Sequence, residues 1–220
     1  MTRLGNDAEI EQLVMYLSKI PLDHPVKPEE FGYNNPVLIC LDAVLSINRK
    51  YAAFVVPRIK HFQENYAQIC TLKGLAHLLR ELGYDGFHVV WQYRHTGRAM
   101  TLERLLNRYI EYADVVAVTD DLTAMKDWAT KSSVMDYRTF RVRGIGLATF
   151  QYLRMMLGVS TVKPDVHIKR AVSMALNRPI SDLDAIWLVE RASERMGLPA
   201  TLVDHNLWRS FASDTHLLLG

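Results

Sequence analysis

The chain is expected to fold as an all-α protein, and three observations predict it. Apolar residues recur at helical spacing through most of the length, Pro and Gly fall between those runs, and a single stretch breaks the pattern. The first helix covers residues 7–20, with Leu13, Val14, Leu17 and Ile20 on its apolar side. Pro21, Pro25 and Pro28 then mark a connection. A second helix runs over about 35–47, where Pro36 suits the first turn because its missing N–H would be unpaired there anyway. Residues 51–65 form a third, which Pro57 should kink or break. Residues 71–82 form a fourth, with Leu72, Leu75, Leu78, Leu79 and Leu82 at helical spacing and Gly83 closing it.

The break comes at residues 87–93, Phe-His-Val-Val-Trp-Gln-Tyr, which read as a short strand or an aromatic-rich loop. Helical spacing returns in 101–113, 122–131, 147–157, 165–176, 182–196 with Gly197 at its end, and 200–212. Asp120 and Asp121 look like a paired acid, yet an N-cap with a neighbouring solvent charge accounts for them. Met155 and Met156 are simplest as core. No internal repeat, low-complexity tract or flexible interdomain linker is visible.

At 220 residues the chain can form one compact unit or two small lobes sharing a core. Its 49% hydrophobic and 23% charged residues suit a soluble globular protein, and no signal peptide or membrane span is visible from the polar N-terminus onward. Two cysteines without regular spacing, Cys40 and Cys70, suggest neither a disulfide framework nor a zinc site. They fit a reducing compartment, so the expected location is cytoplasmic or nucleoid-associated, or nuclear in a eukaryote. His88, His95 and His167 are not spaced as a metal set.

The net charge of +2 hides an asymmetry. Residues 131–180 hold nine Lys or Arg against Asp136 and Asp165, a local net of +7 that leaves the rest of the chain at −5. Such a concentration is expected where one face neutralises phosphates while the remainder keeps the protein soluble; a solvated basic face without a partner is the alternative.

The same region holds the most informative motif. In Val142-Arg143-Gly144-Ile145-Gly146-Leu147-Ala148-Thr149, two glycines precede an apolar helix. Glycine adopts positive φ freely, and the unpaired N–H groups at a helix start carry the positive end of its dipole, which suits a phosphate oxygen. A tight turn would look the same. Downstream, Pro164-Asp165-Val166-His167-Ile168-Lys169-Arg170 sets an isolated carboxylate before a basic helix start, where Asp165 could also serve as an N-cap.

Together these residues resemble the helix-hairpin-helix DNA glycosylases of the endonuclease III (HhH-GPD) superfamily. Their hairpin reads roughly apolar-Pro-Gly-apolar-Gly, matched by residues 142–146 with Arg143 in place of the proline, and their catalytic aspartate stands in a Val-Asp-x-His-apolar-x-Arg setting, matched by 164–170. The order and separation of the two motifs agree as well. Residues 41–48, Leu-Asp-Ala-Val-Leu-Ser-Ile-Asn, look like an early family helix whose last polar residue enters the DNA where the base has left, the place of Asn48 here. Residues 203–208 resemble a late helix that packs back beside the aspartate, and residues 70–132 show no alignment.

The resemblance implies a two-lobed helical glycosylase fold, with a central lobe over 34–145 and a discontinuous second lobe from 1–33 and 146–220. It implies base excision repair on double-stranded DNA by a monomer without membrane association. It places Asp165 as the catalytic group, Arg143, Gly144, Ile145, Gly146, Ala148 and Thr149 on the DNA backbone, and Asn48 as the intercalating residue. Trp91, Tyr93 and Trp208 are candidates for the base pocket, with ordinary core packing the alternative for Trp91 and Tyr93.

Two departures refine the expectation. Bifunctional members carry a nucleophilic lysine two residues after the second hairpin glycine; here that residue is Ala148, and no lysine lies between Lys131 and Lys163. An alanine forms no Schiff base, so strand cleavage by that route should be missing, with Lys163 the nearest substitute amine. Many relatives also hold an iron-sulfur cluster with four cysteines, which two cysteines do not supply. No cofactor is expected, although the resemblance admits a monovalent cation at the hairpin. The expected activity is that of a monofunctional DNA N-glycosylase, hydrolysing the N-glycosidic bond of a flipped damaged or mispaired base. The alternatives are a non-catalytic helix-hairpin-helix protein that binds duplex DNA, and an all-α interaction protein with no nucleic-acid role.

Overall fold

A computed structural model describes residues 5–22, 24 and 33–212. Among these every regular element is helical: α1 (Asp7–Leu17), α2 (Pro36–Leu45), a π-helical turn (Tyr51–Val55), α3 (Val56–Asn65), α4 (Leu72–Gly86), α5 (His88–Trp91), α6 (Thr96–Val116), α7 (Asp121–Lys131), a 3-10 turn (Val134–Asp136), α8 (Tyr137–Phe140), α9 (Leu147–Met156), α10 (Val166–Leu176), α11 (Asp182–Met196) and α12 (Ala200–Ala212). The all-α expectation holds for these residues. No helix among them is long and apolar enough to cross a membrane. Pro25 and Pro28 lie outside the described residues.

Capping explains most of the boundaries. The side chains of Asn6, Asn35, Thr71, Asp120 and Ser181 each accept a backbone N–H at the start of their helix. Pro57 falls in the first turn of α3, directly after the π-helical turn, so the irregularity expected there is real and the helix restarts around it. Gly83, at φ 65° and ψ 171°, is non-helical and closes the first helical segment of α4, as expected, before a further turn runs to Gly86. The stretch 87–93 is neither strand nor open loop. It makes the short helix α5, which ends when Gln92 turns left-handed at φ 51°. Helix α6 begins at Thr96, five residues ahead of the expected start at 101, where the His95 ring accepts the Arg98 N–H.

The described residues divide into two compact units, one within 32–158 and the other drawn from 1–31 and 159–220. The boundary falls at 158 rather than 145 because α9 packs on α2 and α7 of the first unit.

In the 32–158 unit, α2 is buried at every position and forms the axis on which α6, α9 and α7 pack. Its one carboxylate, Asp42, is fully buried and accepts the hydroxyls of Tyr33 (2.7 Å), Tyr51 (2.7 Å) and Tyr152 (2.9 Å). Those bonds replace the water that a buried charge loses. A second focus is aromatic. Trp128 of α7 lies 5.1 Å from Tyr109 of α6, 5.1 Å from Phe140 of α8 and 5.4 Å from Phe150 of α9, so one cluster joins four helices.

In the other unit α1 packs against α11 and α10, while α12 covers α10 and α11. Helix α1 buries Ile10, Leu13 and Leu17, and ion pairs line its edge. Arg178 bridges Glu9 (2.6 Å) and Asp184 (3.5 Å), and Arg195 pairs with Asp7 and Glu11.

Phe150 is fully buried at the centre of the aromatic cluster. Phe150→Ala is expected to lower unfolding stability by about 3–5 kcal/mol, read by denaturant titration. A loss below 1 kcal/mol would mean that the cluster does not hold α9.

Candidate functional site

The turn between α8 and α9 takes its shape from α6. Arg141 turns left-handed at φ 53°, the Ile145 N–H donates to the Val142 carbonyl at 3.0 Å, and Gly144 sits at φ 101°. A Cβ on Gly144 would lie 2.1 Å from Thr101 Oγ1. That hydroxyl donates to the Gly97 carbonyl at 2.9 Å and lies within hydrogen-bonding reach of the Arg143 carbonyl at 3.3 Å, so Thr101 holds the turn against α6. Nothing in the sequence around Thr101 marks this role; only the fold brings it under the turn. Gly146 differs from Gly144. Its φ of −89° is open to any residue, and a Cβ there would meet nothing within 4 Å.

The start of α9 is uncapped. Gly146 is its N-cap and makes no side-chain hydrogen bond. Arg143 and Gly146 are exposed, Leu147 and Ala148 are half-buried, and Ile145 and Thr149 are buried. The helix therefore opens at the surface with its first amides without a capping side chain, an arrangement suited to an anion.

Asp165, in the other unit, is a true N-cap. Its Oδ1 accepts the N–H groups of His167 (2.9 Å) and Ile168 (3.1 Å) at the start of α10. Its Oδ2 accepts no hydrogen bond from any described residue, and the side chain is half-buried. The preceding loop is strapped at both ends: the Asp165 N–H donates to the Lys163 carbonyl (2.7 Å), and the Lys163 N–H donates to Asp204 Oδ1 on α12 (2.9 Å). Asp204 is 4% exposed. Burial, reinforced by the negative charge of Asp165, pushes its carboxyl well above the usual range, against the opposing pull of the Lys163 amide and ammonium. Residues 203–208 thus do pack back on the Asp165 loop, with Asp204 as the contact. Trp208 is half-buried, its ring 6.5 Å from that of His167 and nearly perpendicular to it.

The remaining sequence-selected residues lie in the 32–158 unit. Asn48 is exposed at φ 53°, just past the end of α2. Tyr93 joins it through Arg49, which donates to the Asn48 carbonyl (3.0 Å) and the Tyr93 hydroxyl (2.7 Å). Trp91 is a core residue, 1% exposed, with its ring 5.3 Å from Phe87 and its indole N–H donating to the Tyr93 carbonyl. It offers no open face for a base in this conformation. Trp91 and Tyr93 belong to one unit and Trp208 to the other.

Charge is less concentrated than the sequence implies. Lys131 pairs with Asp127, Lys169 with Asp182, and Arg178 with Glu9 and Asp184, while Arg154 is buried against Gln151. Arg138, Arg141, Arg143 and Arg170 are exposed.

Two outcomes follow from this geometry. Gly144→Ala combines a disfavoured φ with a clash and should cost about 1–3 kcal/mol, whereas Gly146→Ala should cost under about 1 kcal/mol; equal losses in denaturant titrations would refute the Thr101 clamp. For Asp204, the unfolded carboxyl titrates near 3.8 and the folded one higher, so between those values the fold holds a proton that the unfolded chain has released. The stability due to this group is therefore full below 3.8 and is lost as pH rises from there through the folded value. Asp204→Asn keeps the acceptor for Lys163 and removes the titration, so its melting temperature should gain on the wild type as pH rises from 4 to 8. A gap independent of pH would contradict the burial argument.

No curated protein and no solved structure matches the chain. The model of one family, described as Domain of unknown function (DUF8548), matches residues 11–212, and the chain belongs to that family.

Proposed function

We propose that the chain is a monofunctional DNA N-glycosylase. The observation that carries the reading is Asp165: one carboxylate oxygen caps α10 and is fixed by two amides, while the other stays outside any described hydrogen bond. A carboxylate held this way is rigid and still has an oxygen to offer.

Base excision extrudes the target nucleotide and leaves positive charge on the deoxyribose as the N-glycosidic bond breaks. In this reading Asp165 stabilises that charge through Oδ2 and orients or deprotonates the attacking water. Asp204 supports it by strapping the Lys163 backbone, and its burial favours the neutral form, so it adds little competing negative charge. The amides opening α9, with Arg143 and the glycines 144 and 146, grip a backbone phosphate; Ile145 and Thr149 anchor the turn from within, and Asn48 fills the vacated stack. Tyr93 and Trp208 remain the candidates for contact with the base.

Ala148 carries no amine, so the reaction stops at the abasic site. A panel of single-lesion duplexes, treated with hot alkali after incubation, should reveal cleavage at one lesion class, and none without alkali. Asp165→Asn should abolish base release on that substrate while duplex binding stays within about threefold. Borohydride should trap no protein–DNA adduct. Base release at the wild-type rate by Asp165→Asn would remove Asp165 from the chemistry, and duplex binding with no release from any lesion would leave a binding protein. Trapping that disappears in Lys163→Ala would overturn the monofunctional assignment.

A further inference from the structure

Two segments of the 32–158 unit, residues 43–63 and 86–102, contain no Asp or Glu. They carry six cations: Arg49, Lys50, Arg58, Lys60, Arg94 and Arg98. The fold brings the two segments together. Arg49 reaches the Tyr93 hydroxyl, Arg58 donates to the carbonyls of Gln92 (3.1 Å) and Phe54 (2.8 Å), and Arg98 donates to the Ile47 carbonyl (3.2 Å). Of the six, only Lys60 pairs with a carboxylate among the described residues, that of exposed Glu64.

Aromatic rings are interleaved with these charges. The guanidinium of Arg58 lies 3.7 Å from the centre of the Phe54 ring and that of Arg49 5.3 Å from it; both also lie within 6 Å of the Tyr93 ring. Phe54 and Tyr93 meet edge to face at 4.9 Å, and the exposed His95 ring lies 5.4 Å from Tyr93. Two guanidinium groups on one ring repel each other, and Arg58 is held below its usual range by burial and by the charge of Arg49. Here carbonyls and a phenol aim the two groups, and each retains donors beyond those bonds.

We propose that this face binds single-stranded DNA, with Tyr93 and His95 as the surface on which unstacked bases lie and Arg49, Arg58, Arg94 and Arg98 taking the phosphates. The rings decide the ligand class. A polyanion without bases would need the cations alone, and a duplex keeps its base faces covered, whereas an open strand offers both partners at once and its binding tolerates sequence. The site is separate in kind from the grip at α9, and it stands whether or not Asp165 performs base excision.

The test is fluorescence anisotropy with a labelled twelve-nucleotide oligothymidine, the matching duplex as competitor, and a heparin oligosaccharide of similar charge as a base-free polyanion. The wild type should bind the single strand more tightly than the duplex, and affinity should fall steeply between 50 and 200 mM salt. The double variant Arg49→Gln/Arg94→Gln should weaken binding about tenfold or more and flatten the salt dependence by one to two contacts. Tyr93→Ala should weaken it about tenfold with the salt dependence unchanged. If Tyr93→Ala fails to fold, ultraviolet crosslinking of the wild type to the same oligonucleotide should place adducts on the peptide containing Tyr93 and His95. No oligothymidine binding at 50 mM salt, equal displacement by heparin and oligothymidine, or crosslinks confined to other peptides would each overturn the proposal. Base release is not read in these experiments, and Arg49 and Arg94 have no part in the glycosylase reading, so the Arg49→Gln/Arg94→Gln arm tests this face separately from it.

Discussion

The burial of α9 is the constraint on which the 32–158 unit depends. Residues 149–157 are buried without interruption, and Phe150 locks into the cluster of Tyr109, Trp128 and Phe140 while Tyr152 reaches the Asp42 carboxylate. A helix held on all sides does not slide to accommodate what precedes it. The turn at 141–146 must therefore meet a fixed endpoint, and Thr101 closes it from α6 at the one position where a side chain would not fit. The surface consequence is an uncapped helix start held in place by the core beneath it. Preorganisation of that kind keeps the cost of ordering low when an anion binds.

A different economy governs the Asp165 loop. Two carboxylates close enough to feel each other would normally both seek water, and the fold separates their duties instead. Asp165 remains half-buried and caps a helix whose dipole favours its charge, whereas Asp204 is sunk in the interior, where the neutral form is favoured and an amide occupies its oxygen. The pair couples α10 to α12 through a three-residue strap.

Much of the fold is legible in the sequence because its signals are local. Helical spacing and capping residues locate α1, α2, α4, α7, α10, α11 and α12 to within a few residues, and Gly144 and Asp165 stand out by their neighbours. The rest depends on contacts that no local pattern encodes. Residues 87–93 have the composition of a strand, yet Trp91 finds its place by burial against Phe87, and a helical turn satisfies its indole. The basic run 131–180 overstates a patch because Lys131, Lys169 and Arg178 are paired with acids that all lie outside the window. The arginine and aromatic face around Asn48 is missed for the converse reason: its two segments lie some forty residues apart, and neither is conspicuous alone. Asp204 and Thr101 act only across distances that the sequence does not display.

The open start of α9 is proposed as a phosphate grip, and amide resonances report on it directly. In a ¹H–¹⁵N titration with a short duplex carrying an abasic-site analogue, the largest shifts should fall on the amides of Gly146, Leu147, Ala148 and Thr149, with saturation matching the binding isotherm. If those four resonances stay in place while the duplex binds elsewhere, the turn is a structural device and the account is wrong.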